Sequence, residues 1–398
     1  AVPSYASTAF HREAGAWLKA FGDFVEPRLW PDGPVVACQV DNELCHFFRT
    51  AAYDHDYHPD AIALYRRFLA EQYPGGLPAA AYGTDDPAAG PDAVEPPRAF
   101  DAGGPEQLVR HLDWVAFKQW LVVWALERMA RVLRMCGLDR VPLLANFPAS
   151  GWGAACSLAA VEQRLDVAGL DVYHRRADHA AARRIALTLA GESRLPLVPE
   201  LGCGGWPWWW PLRWADQRRT ALSLLMHGVR GFNLYMLVER EQWYGAAVSD
   251  AGEPHRARFD DVQRLVGAVT DSGLLGLERD VRVGLLQVRD YERLELCTSL
   301  ADPLPPMALD LLELGPGELC SDDALGCGRP VQREHRAVVR AMERALGEQG
   351  LAYHLVDEQG PLARYALLLV PGFAFMDAAL VARLADYCAA GGRIVLAP

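Results

Sequence analysis

Short apolar runs rich in Val, Leu and aromatic residues alternate along this chain with longer stretches whose apolar positions recur every three or four residues. The first pattern predicts strands buried on both faces and the second predicts amphipathic helices. Their alternation predicts βαβ units with parallel strands. Five strand-like runs precede residue 240, at 35–40, 143–147, 167–173, 195–201 and 231–237. Helices are expected over 9–29 and over 114–135, the latter with Val115, Leu121, Val122, Ala125 and Met129 on one face. Residues 73–105 are crowded with Gly, Pro and Ala and lack periodicity, so they read as a long irregular excursion of the sort that is usually functional or disordered.

The character of the chain changes near 270–280, after a helical pattern over 259–269. A strand at 281–288, a loop to Pro330, a helix at 333–348, strands at 352–356 and 366–370, a helix at 378–389 and a strand at 393–396 then follow. This is the order of a doubly wound α/β unit, and it divides the chain into 1–275 and 276–398. No Gly-rich phosphate fingerprint joins its first strand to its first helix, so nucleotide binding is not expected.

Composition narrows the choice of partner. The net charge is −12, and no Lys/Arg cluster stands out, which argues against nucleic acid and suits a neutral substrate. Lys19 and Lys118 are the only lysines, a bias we ascribe to a GC-rich coding sequence. No stretch is long and apolar enough to predict a membrane span. The nine cysteines form no CxxC pair or metal spacing, from which we expect a reduced, cytoplasmic setting and no metal or other cofactor. The chain opens on AVPSYASTAF, with neither an initiator Met nor a secretory pattern, and stops at Pro398 directly after a strand, so a piece of a longer protein is expected.

Two carboxylates occupy the same structural place. The first run ends in Cys38-Gln39-Val40-Asp41-Asn42-Glu43 and the fourth in Leu197-Val198-Pro199-Glu200-Leu201-Gly202. At the carboxyl end of a barrel strand such residues face the active site; the rival reading of the first is a helix N-cap. Two glutamates three βα units apart can face each other as the acid and the nucleophile of glycoside hydrolysis. The run after Glu200, with Trp206 and Trp208 to Trp210, supplies aromatic faces of the kind that bind sugar rings, although packing would occupy most of them. A polar and aromatic loop containing Trp243 follows the fifth run. Asn146, in the second run, is a further substrate-binding candidate, and Tyr173, ending the third, is placed to hydrogen-bond a nucleophile and hold it ionised or else to pack.

The segment from Gly33 to Glu43 resembles the acid/base strand of β-galactosidases in glycoside hydrolase families 42 and 35, where an Asn-Glu pair ends strand four and a nucleophilic Glu ends strand seven. The tail, with its Leu-Val-Pro-Gly strand and Ala-Gly-Gly-Arg-Ile-Val ending, resembles the flavodoxin-like trimerisation domain of family 42. This resemblance implies strands four to eight of a (β/α)8 TIM barrel over 1–275, then a truncated flavodoxin-like domain over 276–398. It maps Glu43 onto the acid/base, Glu200 onto the nucleophile, Asn42 onto the residue that binds the sugar 2-hydroxyl and Tyr173 onto the strand-six Tyr. The cysteine zinc cluster of many family 42 enzymes is not expected, since only Cys45 lies near the acid/base strand. A barrel lacking three strands would expose unpaired edges and is not expected to be stable alone. The implied activity is retaining cleavage of terminal β-galactosides by a homo-oligomer, a trimer by analogy. Other retaining β-glycosidases (β-glucosidase, arabinosidase, galactanase) and a non-catalytic carbohydrate-binding relative are the alternatives.

Overall fold

The computed structural model describes residues 3–44, 46, 51–83, 90–148, 156–207, 212–300, 320–321, 325–372 and 374–397. Over these the chain is an α/β protein whose strands all pair in parallel. It opens with α1 (Thr8–Val25), capped by the Ser7 side chain accepting from the Phe10 N–H. The strand β1 (Cys38–Gln39) follows. It is shorter than the apolar run implies because Val35 pairs back onto Leu29 rather than along the ladder. The helix α2 (Pro59–Gln72) comes next, and the irregular excursion expected over 73–105 holds the short α3 (Ala79–Tyr82). The helix α4 (Pro105–Met135) begins nine positions earlier than the apolar face alone suggests. A proline tolerated in a first helical turn starts it, and Leu108 and His111 extend its buried face.

Then β2 (Leu143–Pro148), α5 (Leu158–Glu162), β3 (Val167–Asp171), α6 (His179–Glu192), β4 (Leu197–Gly202), α7 (Trp214–Met226), β5 (Gly231–Tyr235) and α8 (Arg256–Asp271) alternate. Strands β1, β2 and β3 form one ladder and β4 and β5 another. Val172, just beyond β3, joins them: its N–H donates to the Glu200 carbonyl at 2.7 Å and its carbonyl accepts the Gly202 N–H at 2.9 Å. The five strands thus make one parallel arc in chain order. Strands β3 and β4 approach so closely that a Cβ at Gly169 would stand 2.4 Å from the Pro199 ring. One continuous apolar core lies between the arc and its helices, including Leu143, Ala145, Phe147, Ala168, Leu170 and Val198 against Leu121, Leu126, Ile185 and Leu224.

The second unit is a four-stranded parallel sheet in the order β7-β6-β8-β9, comprising β6 (Val283–Gln287), β7 (Tyr353–Asp357), β8 (Leu367–Val370) and β9 (Arg393–Leu396). Its helices are α9 (Arg289–Cys297), α10 (Val331–Glu348) and α11 (Ala378–Ala389). The helix α9 corrects the loop expected after β6. Its sequence is dominated by charge, but Tyr291, Leu294 and Cys297 recur at a helical interval and are buried. The two units pack directly: a Cβ at Gly191 of α6 would stand 1.9 Å from the Leu355 carbonyl oxygen of β7, and Arg184 pairs with Glu343 at 2.6 Å. Among the described residues no helix is long and apolar enough to cross a membrane.

Candidate active site

All five strands of the arc run the same way, so their carboxyl ends open on one face, and the polar residues that end the apolar runs meet there. Asn146 of β2 is at the centre and fully buried. Its side-chain oxygen accepts the Glu43 backbone N–H and the Gln39 amide, each at 2.9 Å. Its amide nitrogen donates to Asp171 Oδ2 at 2.9 Å, to Asn42 Oδ1 at 3.3 Å and to Glu200 Oε1 at 3.4 Å. One buried amide therefore orients groups delivered by β1, β3 and β4. Such a residue has every donor and acceptor engaged, the condition under which a buried polar network rigidifies a site.

Glu43 stands just past β1 with φ +49°, a left-handed conformation uncommon outside glycine. The bond from its N–H to Asn146 helps hold the residue there, and strain of this kind concentrates at functional sites. Glu200, on β4, receives the Tyr173 hydroxyl on Oε2. Asp171 ends β3 and is 2% exposed. One carboxyl oxygen from each of Glu43, Asp171 and Glu200 lies within 4.8 Å of the others, the single grouping of that kind among the described residues.

This convergence governs protonation. Burial, reinforced by the Glu200 charge, raises the Glu43 carboxyl to about 7. Burial also raises Asp171, to about 10, with the Glu200 and Glu43 charges acting in the same direction. Burial and the bond to Glu200 push the Tyr173 hydroxyl well above its ordinary range, which keeps it a donor. A set of three carboxyls this close can be balanced by a cation or by protons. Protons suit this set, because Asn146 and Tyr173 already engage oxygens of Asp171 and Glu200.

The remaining expected residues fall into two groups. Asn42 is exposed at the rim and belongs to the Asn146 network. Trp206 is half-buried and meets Trp243 edge to face, with centroids 5.4 Å apart and the Arg240 guanidinium 5.6 Å from the Trp206 ring. Trp243 is 3% exposed and its indole N–H donates to the Cys203 carbonyl at 2.8 Å, so it packs beneath the site rather than presenting a ring face. Trp208 to Trp210 and Cys45 lie outside the described residues. The sequence reading passed over Asp171, Gln39 and Tyr235. Asp171 lies inside the third apolar run, two residues before Tyr173, and it becomes a strand-end carboxylate only because β3 stops at 171. Tyr235 ends β5 with its ring 6.4 Å from Tyr173 and 5.4 Å from Trp243, and it accepts from Arg240 at 3.2 Å. A cleft of about 1160 Å³ between α4 and the second unit is lined by Asp113, Arg293 and Arg383, and none of the three carboxyl residues reaches it.

Residues 327–398 match the family described as the β-galactosidase trimerisation domain. No curated protein matches the sequence. Among solved structures, Gan42B, a GH42 β-galactosidase from G. stearothermophilus, is similar with a TM-score of 0.69 at 17% identity, over 98% of this chain and 55% of that one. The β-galactosidase of the psychrophilic Marinomonas ef1 gives 0.69 at 18% identity, covering 99% and 59%. The polyextremophilic β-galactosidase of the Antarctic haloarchaeon Halorubrum lacusprofundi gives 0.66 at 20%, covering 99% and 57%. The chain therefore spans a little over half the length of these proteins. At such identities the likeness is one of fold: the chain is folded like a little over half of a GH42 β-galactosidase, and residues 327–398 match the trimerisation-domain family.

Proposed function

We propose that this chain carries the catalytic centre of a retaining β-glycosidase acting on terminal β-galactosides. Glu43 is the general acid/base and Glu200 the nucleophile. The observation that carries this reading is the approach of their carboxyl oxygens to within 4.8 Å across the ends of β1 and β4. Retaining enzymes separate their carboxyls by about 5 to 5.5 Å, whereas inverting ones leave about 6.5 to 9.5 Å for a water. The similar solved structures are described as β-galactosidases, which supports the choice of sugar.

In the first step Glu43 gives its proton to the glycosidic oxygen while the Glu200 carboxylate attacks the anomeric carbon. The alcohol leaves and a glycosyl ester forms on Glu200. In the second step Glu43, now ionised, takes a proton from water, whose oxygen attacks the same carbon and releases the sugar with its configuration retained. The raised Glu43 carboxyl suits an acid that must hold its proton near neutral pH. Tyr173 orients the nucleophile. Asn42, at the rim beside Glu43, is the group we assign to the sugar 2-hydroxyl, and Trp206 the one that meets a ring face.

On the same reading the parallel arc corresponds to strands four to eight of a (β/α)8 barrel over 1–275, and residues 276–398 form a flavodoxin-like domain. The strand order β7-β6-β8-β9 supports the second assignment. The match of 327–398 supports oligomerisation, which we take to be a trimer of the full-length protein. Hydrolysis of a nitrophenyl β-galactoside by the full-length protein, with the first-formed sugar followed by proton NMR, tests the proposal. Release of the β-anomer is expected, and first release of the α-anomer, or no hydrolysis of any β-glycoside, would sink it.

A further inference from the structure

The retaining mechanism uses two of the three carboxyls that converge at the ends of the arc, and the third has no role in it. Asp171 is 2% exposed. Its Oδ2 accepts the Asn146 amide at 2.9 Å, while its Oδ1 is buried and meets no donor. Buried polar atoms are almost always satisfied, so an oxygen in this position calls for an explanation. The groups that face it are Glu43 from beyond β1 and Glu200 from β4, with the Tyr173 hydroxyl already given to Glu200 and Asn146 completing the set from β2. A carboxyl oxygen of Asp171 lies within 4.8 Å of one of Glu43, close enough for a proton between the two carboxyls to join them. Two carboxyls cannot share a hydrogen bond unless one of them holds a proton.

We propose that Asp171 is a positioning residue for the acid/base: its Oδ1 keeps a proton and donates it to the Glu43 carboxyl in both half-reactions. The assignment satisfies every oxygen of Asp171, with Oδ2 accepting from Asn146 and Oδ1 donating to Glu43. It also avoids three negative charges in one pocket. Burial and the two neighbouring charges hold the Asp171 proton in place, and the same contact lowers Glu43, as a donor to a carboxylate must. The inference rests on the acid/base reading of Glu43 and assigns a duty within it. When Glu43 has protonated the leaving oxygen, its new charge is met at once by the Asp171 O–H. When it takes a proton from water, the bond to Asp171 persists. The Asp171 proton itself is never transferred, so the proton count of the reaction is unchanged.

The test uses the full-length protein with isotope-labelled aspartate. At about pH 8, well above the ordinary aspartate range, the infrared spectrum should contain a C=O band of one protonated aspartate that D171N removes. This readout needs no activity, so it decides the state of Asp171 even if no glycoside is cleaved, an outcome that would overturn the glycosidase reading alone. In kinetics, D171N presents the same neutral donor and should keep kcat/KM within about tenfold with the basic limb of its pH profile in place. D171A removes the donor, so the basic limb should move to higher pH and release of sugar from the glycosyl-enzyme should slow by about 100-fold. An ionised Asp171 predicts the opposite sign, since removing its charge would lower the Glu43 limb in both variants. Absence of the band, or a downward shift of the limb in D171N, would overturn the proposal. If D171A does not fold, D171N and the wild-type spectrum still decide it.

Discussion

The side-chain oxygen of Asn146 accepts the backbone N–H of Glu43 at 2.9 Å, and Glu43 adopts φ +49° at that contact. A residue from β2 thus fixes the main chain of a residue beyond β1, at a place where the backbone costs about 1 to 3 kcal/mol to hold. The side-chain direction of Glu43 follows from it.

Asn146→Ala should therefore misplace Glu43 and also strip a donor from Asp171 and Glu200. The expected loss is about 100-fold in kcat with a smaller change in KM, because small misplacements of catalytic groups cost that much. Stability should fall by about 1 to 3 kcal/mol from the unsatisfied buried groups. Steady-state kinetics beside urea unfolding measures both; unchanged kcat with reduced stability would leave Asn146 a purely structural residue.

The two glutamates should fail differently. Glu200→Gln replaces the nucleophilic carboxylate by a neutral amide and should abolish turnover on every substrate. Glu43→Ala removes the proton donor, worth about 10² to 10⁴ in rate on substrates whose leaving group needs protonation. It should do least harm to the first step with an activated aryl leaving group, and azide should restore turnover by attacking the glycosyl ester. Azide rescue of the Glu200 variant in place of the Glu43 variant would reverse the assignment.

Much of this was legible in the sequence, because strands β2 to β4 are short, mainly apolar runs buried on both faces, and that signal needs no tertiary context. Strand β1 was overdrawn, since whether Val35 extends a ladder or turns back to Leu29 depends on what lies beside it. The helix α9 was hidden for the opposite reason: its three buried apolar residues are outnumbered by charges, of which Glu295 finds its partner Arg336 only once α10 is in place. At the site, Glu43 and Glu200 stood out because each ends an apolar run. Asp171 sits within the third run, and recognising it required knowing that β3 stops there and that the β3 and β4 ends converge.

The pH dependence of activity follows from Glu43. Burial and the Glu200 charge raise its carboxyl to about 7, and the acid must be protonated to act, so kcat/KM should fall as pH rises through that value. The profile of kcat/KM for an aryl galactoside checks this. A basic limb only above about pH 9 would assign the acid to some other group.

The pH dependence of stability has its own sign. Asp171 binds its proton more tightly in the folded chain than in the unfolded one, its carboxyl being raised to about 10. The stability linked to that proton is complete below the unfolded aspartate value near about 4 and is lost as pH rises toward the folded value. Asp171→Asn has no proton to take up on folding. It should therefore be more stable than the parent at about pH 8 and no more stable below about pH 4. Urea midpoints at the two pH values decide it, and an Asn variant less stable at the higher pH would mean that the carboxylate is ionised in the fold.

The two tryptophans near the site should separate binding from packing. Trp243 is 3% exposed, bonded to the Cys203 carbonyl and set edge-on beneath both Trp206 and Tyr235. Trp243→Ala leaves a cavity under both rings and should cost about 3 to 5 kcal/mol of stability, as large aromatic truncations do. Trp206 keeps part of its surface open to solvent, and a ring that stacks on a sugar contributes to ground state and transition state alike. Trp206→Ala should therefore raise KM by about tenfold while kcat and stability change little, the pattern of lost uniform binding. Trp243→Phe should restore most of the stability lost in the Ala variant, since it refills the space without the indole N–H. A KM effect confined to Trp243 variants of normal stability would instead place that ring in contact with the sugar.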